Sequence, residues 1–426
     1  MLLLSKIKKP DNLFHCVCLF FLSILTIYLV SLGPIKIGMD SVHYLDNSVI
    51  RSPFYPIFLD IYGFFFGDYY KPLIFLKLSV AFYSVFKLLK YLQNIFNFKN
   101  TLFFAFLIIL LTPYFFGDYK YANRVLTEGI CYPLYLLSLY FLLRTLFERK
   151  LTSFIYFLLC LLILMLTRRQ FFFMYPVVLI TIGYFFFHLR DKKMSVFMLL
   201  SFASTIFFTE LVERYYRYHK YEKFSAPPFV GIQLAVAPIY FSDLTNLDLF
   251  DDKLEKEIIE EIIKEMNLKK INFINSKKGN YENFYQHFSA SYNNIAWKVI
   301  YRTMNEKDMD WFQIDRMCNS IALKLITNDP LKHLKLYFFG FKKMLGGYYW
   351  MVFYLIIFIF SIKKISSKDN ELHLLICVSL LSSFSNYVLI SLVEVPLMRY
   401  TIYTEVIQIV ILLTFFYNAL FVEKRN

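Results

Sequence analysis

The amino-acid sequence predicts an all-α, polytopic membrane protein with about ten transmembrane helices. Of its 426 residues, 58% are hydrophobic, and the mean hydropathy is +0.48. Only 18% are charged, whereas a soluble protein of ordinary composition carries about 25%. Apolar runs long enough to cross a bilayer recur along most of the chain, which accounts for both departures.

Ten apolar runs approach the length of about 17–25 residues that a membrane-crossing helix needs. They are 13–33, 72–90, 101–117, 129–147, 151–167, 171–187, 194–212, 345–362, 371–393 and 401–422. The first is too long for a signal-peptide core and lacks a small-residue cleavage site, so we expect it to be retained. Residues 53–67 are apolar but short, with two prolines and Asp60, and are predicted to be re-entrant or interfacial.

The distribution of charge predicts the orientation of the chain. The formal net charge is +14, but residues 213–335 hold 18 basic and 17 acidic side chains, so the excess lies in short loops beside the predicted spans. With the N-terminus in the cytoplasm, the inside loops carry 17 Lys and Arg against 8 in the short outside loops. This bias follows the positive-inside rule and needs no nucleic-acid partner. Both termini are therefore predicted to be cytoplasmic.

The predicted organisation has three parts. Residues 1–212 form a seven-span membrane module with its first outer loop at 34–71, residues 213–335 form an extracytoplasmic domain, and residues 336–426 form a three-span membrane region. The middle part is predicted to be mostly helical, because apolar residues recur there at helical spacing. One stripe contains Leu254, Ile258, Ile259, Ile262, Ile263 and Met266, and a second contains Trp311, Ile314, Cys318, Ile321 and Leu325. Both stripes are interpreted as core packing rather than as a binding site.

Candidate chemistry lies at the outer ends of the predicted spans. The common soluble-enzyme motifs, such as a Walker loop, a dinucleotide glycine fingerprint or H-E-x-x-H, are absent from the sequence. A single arginine at a helix end is usually explained by snorkelling to the interface. Here four outside loops each combine arginine with an acid or a tyrosine, which predicts one shared site for an anion. The candidate residues are Asp40, Tyr44, Arg51, Tyr55, Arg124, Glu128, Arg168, Arg169, Arg399 and Tyr400.

These segments resemble, in their order and placement, the GT-C membrane glycosyltransferases, which include protein O-mannosyltransferases and lipid A aminoarabinose transferases. The matching segments are Asp40 with Tyr44, the R-x-P-x-Y-P run at 51–56, the R-x-L-T-E run at 124–128, T-R-R at 167–169 and R-Y at 399–400. The likeness covers the first seven spans and the last span. Many relatives carry Asp-Glu at the first acidic site, whereas Ser41 follows Asp40 here.

The resemblance implies a function for these residues. It implies that a sugar is transferred from a polyprenyl-phosphate donor to a glycan, lipid or protein acceptor at the outer face of the membrane, with inversion. Asp40 is expected to be the general base, since glycosyl transfer must remove the acceptor hydroxyl proton. The arginines and tyrosines named above, with Glu128, are expected to bind substrate, because a guanidinium suits phosphate oxygens. If a divalent metal takes part, Asp40 and Glu128 are its candidate ligands.

Two other functions fit the same span count and outer arginines. A polymerase or ligase for lipid-linked glycans would not depend on a carboxylate in the first outer loop. A transporter for a lipid-linked sugar would be expected to show inverted repeats and interrupted helices near the bilayer midplane. The bias toward Lys, Ile, Phe and Asn is typical of an AT-rich bacterial genome and predicts a bacterial plasma membrane.

Overall fold

The structure is a computed structural model that describes residues 12–31, 35–67, 71–115, 120–276, 281–365, 371–395 and 397–417. Every regular element in these ranges is helical, which confirms the predicted all-α class. An isolated β-bridge joins Lys36 to Arg124. Residues 1–11 and 418–426, on which the predicted cytoplasmic termini depend, lie outside the described residues.

Within the described ranges, nine α-helices precede the large hydrophilic segment or enter it. They are α1 (Asn12–Ser31), α2 (Met39–Leu45), α3 (Phe54–Phe66), α4 (Lys71–Phe96), α5 (Asn100–Phe115), α6 (Glu128–Glu148), α7 (Leu151–Thr167), α8 (Met174–Gly183) and α9 (Lys192–Tyr221). Nine more follow. They are α10 (Val230–Phe241), α11 (Lys253–Leu268), α12 (Tyr281–Asn293), α13 (Arg302–Asn305), α14 (Trp311–Asn328), α15 (Pro330–Met344), α16 (Tyr348–Lys364), α17 (Glu371–Val393) and α18 (Met398–Tyr417).

Six helical segments in the described part of the chain are long and apolar enough to cross a membrane. They are α4, α6, residues 169–188 around α8, α9, α17 and residues 399–417 of α18. Helices α15 and α16 meet the same criterion together but are bent by 79°. The remaining predicted spans coincide with shorter apolar helices in α1, α5 and α7. The chain is thus multi-pass, while the number of ten spans stays a prediction.

The segment predicted to be re-entrant or interfacial folds as the 13-residue helix α3. One face, with Tyr55, Leu59 and Tyr62, is buried in an apolar cluster. The last turn exposes Phe64, Phe65 and Phe66, and Gly67 ends the helix at a positive φ of 57°. The helix therefore has an inner face and an unburied aromatic end; its relation to the membrane stays a prediction.

The described chain divides into two compact units. The first contains residues 1–209, 361–379 and 402–426, and the second contains 210–360 and 380–401. The predicted boundary at 212 lies close to the first division, whereas the predicted boundary at 335 has no counterpart. The assignment of these parts to membrane module, extracytoplasmic domain and C-terminal region stays a prediction.

The core of the second unit is built from the two apolar stripes seen in the sequence. Ile258, Ile262 and Met266 of α11 and Ile314 and Cys318 of α14 are buried in one cluster. Trp311 packs against the cluster while partly buried. The interpretation of these stripes as core packing is therefore confirmed, except at Leu254, which is 47% exposed.

In the first unit, α4 and α6 bury apolar faces at helical spacing, as Leu78, Val85 and Leu92 of α4 illustrate. Helix α6 begins at Glu128, directly after the turn of residues 121–127. Glycine at position 129 allows this close packing, since an added Cβ would lie 2.9 Å from the Cδ atom of Lys77 and 3.1 Å from the Tyr121 carbonyl oxygen. Tight helix packing therefore fixes the turn that carries the R-x-L-T-E residues.

Candidate functional site

The short helix α2 and the loop after it bring the first group of predicted residues together. Asp40 and Tyr44 are four residues apart and share a face of α2. The Arg51 guanidinium pairs with Asp40, at 2.7 Å between Nη2 and Oδ1. The same guanidinium lies over the Tyr44 ring at 4.6 Å and donates to the Tyr44 hydroxyl at 3.4 Å. Tyr55 of α3 packs edge-on against Tyr44 at 5.1 Å.

The second group lies where α6 begins and α7 ends. The Tyr44 hydroxyl is 3.4 Å from the Thr127 hydroxyl, which in turn donates to Glu128 at 3.2 Å. Glu128 is the first residue of α6, where the helix dipole favours a carboxylate. Arg168 follows the last residue of α7, where the dipole favours a cation. The two form an ion pair of 2.7 Å, with the Glu128 side chain only 3% exposed.

These contacts connect the two groups. Polar contacts run without a break from Asp40 through Arg51, Tyr44, Thr127 and Glu128 to Arg168. Arg168 also donates to the Tyr403 hydroxyl of α18 at 3.3 Å. Residues from the segment 40–51, the turn before α6 and the end of α7, which the sequence predicts to share a site, are therefore in contact through their side chains.

Lys77 of α4 belongs to this site, although no sequence motif contains it. Its side chain is buried, and its ammonium group donates to the Arg124 carbonyl at 2.5 Å. Glu128 lies near enough to act on Lys77 electrostatically. A single lysine in an apolar span looks in sequence like a residue that reaches the interface; only its full burial, which has to be compensated, distinguishes it.

The charged side chains of the site are paired. Arg51 and Arg168 face Asp40 and Glu128, and the buried amino group of Lys77 lies near Glu128. Burial by itself lowers the pKa of Arg51, but Tyr44 and Asp40 raise it above its ordinary value.

The Arg51 guanidinium also acts on a neighbouring histidine. His43 of α2 has a pKa below its ordinary value, first because of burial and then because of the charge of Arg51, while Asp40 and Asp46 act in the opposite direction. The neutral form of His43 is therefore favoured.

Arg124 and Arg169 make other contacts than those in the series from Asp40 to Arg168. Arg124 contributes its backbone carbonyl to Lys77. The Arg169 guanidinium lies over the Phe172 ring at 5.6 Å.

Arg399 and Tyr400 belong to the second unit. There, Arg399 stacks on Tyr400 at 4.7 Å and donates to its hydroxyl, which is 3.5 Å from Glu394. Their predicted convergence with Arg51 and Arg168 stays a prediction.

The predicted metal ligands are both engaged with arginine. Asp40 pairs with Arg51 and Glu128 pairs with Arg168. Among the residues that the structure describes, no three His, Cys, Asp or Glu side chains are grouped closely enough to hold a metal ion.

No protein-family model matches the chain, and neither curated proteins nor solved structures include a significant match to it.

Proposed function

We propose that this protein is a membrane glycosyltransferase that moves a sugar from a polyprenyl-phosphate donor to an acceptor hydroxyl, with inversion. The observation that carries the proposal is the unbroken series of contacts from Asp40 to Arg168, which combines a carboxylate with two arginines, one of them directly after the apolar helix α7. One group of side chains thus contains the two functions that the reaction needs.

The cations supply the phosphate-binding function. Arg51 and Arg168 are each mostly buried but keep 19% and 17% of their side chains exposed. A guanidinium in such a partly desolvated place binds phosphate oxygens through two parallel hydrogen bonds. Their preorganised charge would stabilise the phosphate as it leaves with the electron pair of the broken bond.

Asp40 supplies the base. Its side chain is 35% exposed, more than that of any other charged member of the ion pairs in this site. In the proposed step the acceptor oxygen attacks the anomeric carbon and its proton passes to the Asp40 carboxylate. The bond from the anomeric carbon to the phosphate oxygen breaks as the new glycosidic bond forms on the opposite face, which inverts the configuration.

The setting of the reaction follows from the predicted topology. The donor's isoprenoid chain remains in the bilayer while its phosphate reaches the helix ends, so no nucleotide-binding fold is required. We place the site on the outer face of a bacterial plasma membrane, in the synthesis of a cell-surface glycan or glycolipid. Acceptors of this kind present the hydroxyl that the proposed base would deprotonate.

The test replaces Asp40 in a strain from which the gene has been deleted. Surface glycans from the deletion strain, analysed by mass spectrometry, should lack one sugar, which identifies the donor to supply to purified protein. Asp40→Asn keeps the shape of the side chain and removes the base, so transfer should fall by about two to four orders of magnitude. Donor binding should persist, because Arg168 remains paired and in place.

Asp46→Asn is the matched control. Asp46 lies at the end of α2 and is exposed, outside the contacts described above, so its variant should transfer at the parent rate. An active Asp40→Asn protein would refute the base and favour a polymerase or ligase that needs no carboxylate there. Purified protein that binds the donor yet never transfers sugar would favour a transporter.

A further inference from the structure

Helix α15 has apolar residues on two faces, only one of which is covered. His333, Leu336, Gly340 and Met344 point into the core of the second unit. On the other face Leu331, Leu334 and Phe338 are exposed, by 69%, 62% and 48%. These three recur at the i, i+3, i+7 spacing of one helical stripe. A stripe of this kind on an otherwise polar, basic surface marks a contact with something apolar.

The charged residues within α15 are of one sign, although the N-cap residue Asp329 is acidic. Lys335 and Lys342 lie on the same side of the helix, each within a turn of the stripe. Residues 330–347 contain four lysines and no acidic residue. The apolar partner of the stripe is therefore expected to carry negative charge at its surface.

A sharp bend follows α15. Gly346 and Gly347 have positive φ values of 81° and 106°, which a side chain would strain. The bend of 79° sets α15 nearly perpendicular to α16, a 17-residue helix that is mostly apolar and ends in Lys363 and Lys364. Tyr348, Tyr349 and Trp350 are exposed at the bend, and such aromatic residues are enriched at the membrane–water interface.

We propose that α15 lies flat in the lipid–water interface and binds anionic phospholipid headgroups, while α16 enters the bilayer beneath it. The stripe of Leu331, Leu334 and Phe338 would contact acyl chains, and Lys335 and Lys342 would reach headgroup phosphates. The aromatic residues at the bend would mark the level of the interface. This role of α15 is independent of the proposed glycosyl transfer.

The first test measures the depth of the stripe in the full-length protein in lipid nanodiscs. Phe338→Cys carries a nitroxide label, and Leu323→Cys is the control, because Leu323 of α14 is similarly exposed outside the stripe. Four of the cysteines in the described chain are buried and Cys377 is half-buried, and labelled parent protein measures their background. The label at 338 should be accessible to oxygen and protected from a water-soluble nickel chelate, whereas the label at 323 should be open to nickel.

Other occupants of the stripe would give other results. Equal access of nickel to both labels would overturn the proposal and leave the stripe in water. Protection of the label at 338 from oxygen as well as nickel would instead assign the stripe to a contact with protein, such as a second copy of the chain.

The second test concerns the lysines. In the Phe338→Cys protein with its native lysines, the label at 338 should lie deeper in nanodiscs with phosphatidylglycerol than in nanodiscs of phosphatidylcholine alone. Lys335→Gln with Lys342→Gln should abolish this difference, since each lysine near an anionic surface strengthens binding about fivefold. Lys253→Gln with Lys264→Gln on α11 is the matched control and should preserve it. A parent that is indifferent to lipid charge, or a control pair that loses the difference equally, would refute headgroup binding.

Discussion

Glu128 is nearly fully buried, and its negative charge is compensated chiefly by one neighbour. Arg168 is 2.7 Å away, and Lys77 contributes from α4. A buried ion pair adds little net stability, but removing one partner leaves an uncompensated charge. At this site the structural role of arginine and its proposed role in phosphate binding therefore overlap, and single substitutions confound them.

A double-mutant cycle separates the two roles. Arg168→Ala should destabilise the protein by about 3–5 kcal/mol, because Glu128 then keeps a buried charge with one compensating partner fewer. Glu128→Gln in the Arg168→Ala background should recover much of that stability by removing the charge. Donor binding should remain weak in the double variant, since no guanidinium is restored. Thermal unfolding in nanodiscs and binding of the donor measure the two effects separately.

Arg169→Ala is the neighbouring control. The Arg169 guanidinium lies over the Phe172 ring at 5.6 Å. Arg169→Ala should therefore lower the free energy of unfolding much less than Arg168→Ala does. If the double variant bound donor as well as the parent, Arg168 would be a structural residue only.

The sequence motifs select some residues of the candidate site and not others. The pairing of arginine with acid or tyrosine in each outer loop was sufficient to select Asp40, Tyr44, Arg51 and Glu128. Arg168 and Arg169 are adjacent and chemically identical, so only the ends of the helices decide which of them faces Glu128. Lys77 could not be selected, because its burial depends on packing against α6 rather than on its sequence context.

At the scale of single helices, the start of α6 depends on a close approach to α4. An added Cβ at Gly129 would lie 2.9 Å from Lys77 Cδ and 3.1 Å from the Tyr121 carbonyl oxygen. The backbone oxygen has little freedom to move. The turn of residues 121–127 would therefore shift, and with it Thr127 and Glu128.

Gly129→Ala should destabilise the protein by about 1–3 kcal/mol, the usual cost of an overpacked position. Gly183→Ala is the matched control, because Gly183 is also helical and an added Cβ there meets nothing within 4 Å. Alanine is favoured over glycine in helices by about 1 kcal/mol, so the control should be neutral or slightly stabilising. Thermal unfolding of both variants measures the two changes in stability. Equal changes would show that the close approach at Gly129 does not affect the stability of the protein.

Element boundaries were mostly predictable, because apolar runs and helices share the same residues. The predicted spans 72–90, 129–147 and 151–167 lie within or coincide with α4, α6 and α7. Asp329 caps α15 through the Lys332 amide, with Pro330 as the first helical residue, as its sequence indicates. The 79° bend after α15 was not predicted from the sequence. Spans were located by the length of their apolar runs, and run length carries no information about the paired glycines that allow the bend.

At the scale of the whole molecule, the orientation of the chain rests on charge in short loops. Residues 188–193 carry Arg190, Lys192 and Lys193 between two candidate membrane helices. The loop is predicted to be cytoplasmic, whereas Asp40 and the segment 213–335 are predicted to be outside.

Labelling of single introduced cysteines in intact cells tests this orientation. An impermeant reagent should modify cysteines placed at Asp46 and Leu268, both of which are exposed, and should spare one placed at Lys192. Lysis of the cells should make Lys192→Cys reactive, which controls for burial. Modification of Lys192→Cys in intact cells would reverse the topology and place the candidate site on the cytoplasmic side.

The ion pair between Asp40 and Arg51 sets an order for substrate binding under the proposed function. While Arg51 holds Asp40, a carboxylate oxygen is engaged by the guanidinium and is not available to the acceptor hydroxyl. A donor phosphate that draws Arg51 toward itself would release that oxygen, so the base is free only when the donor is present. An acceptor that arrives first would meet a carboxylate already engaged. Steady-state kinetics should therefore be sequential and ordered, with the lipid-linked sugar as the leading substrate.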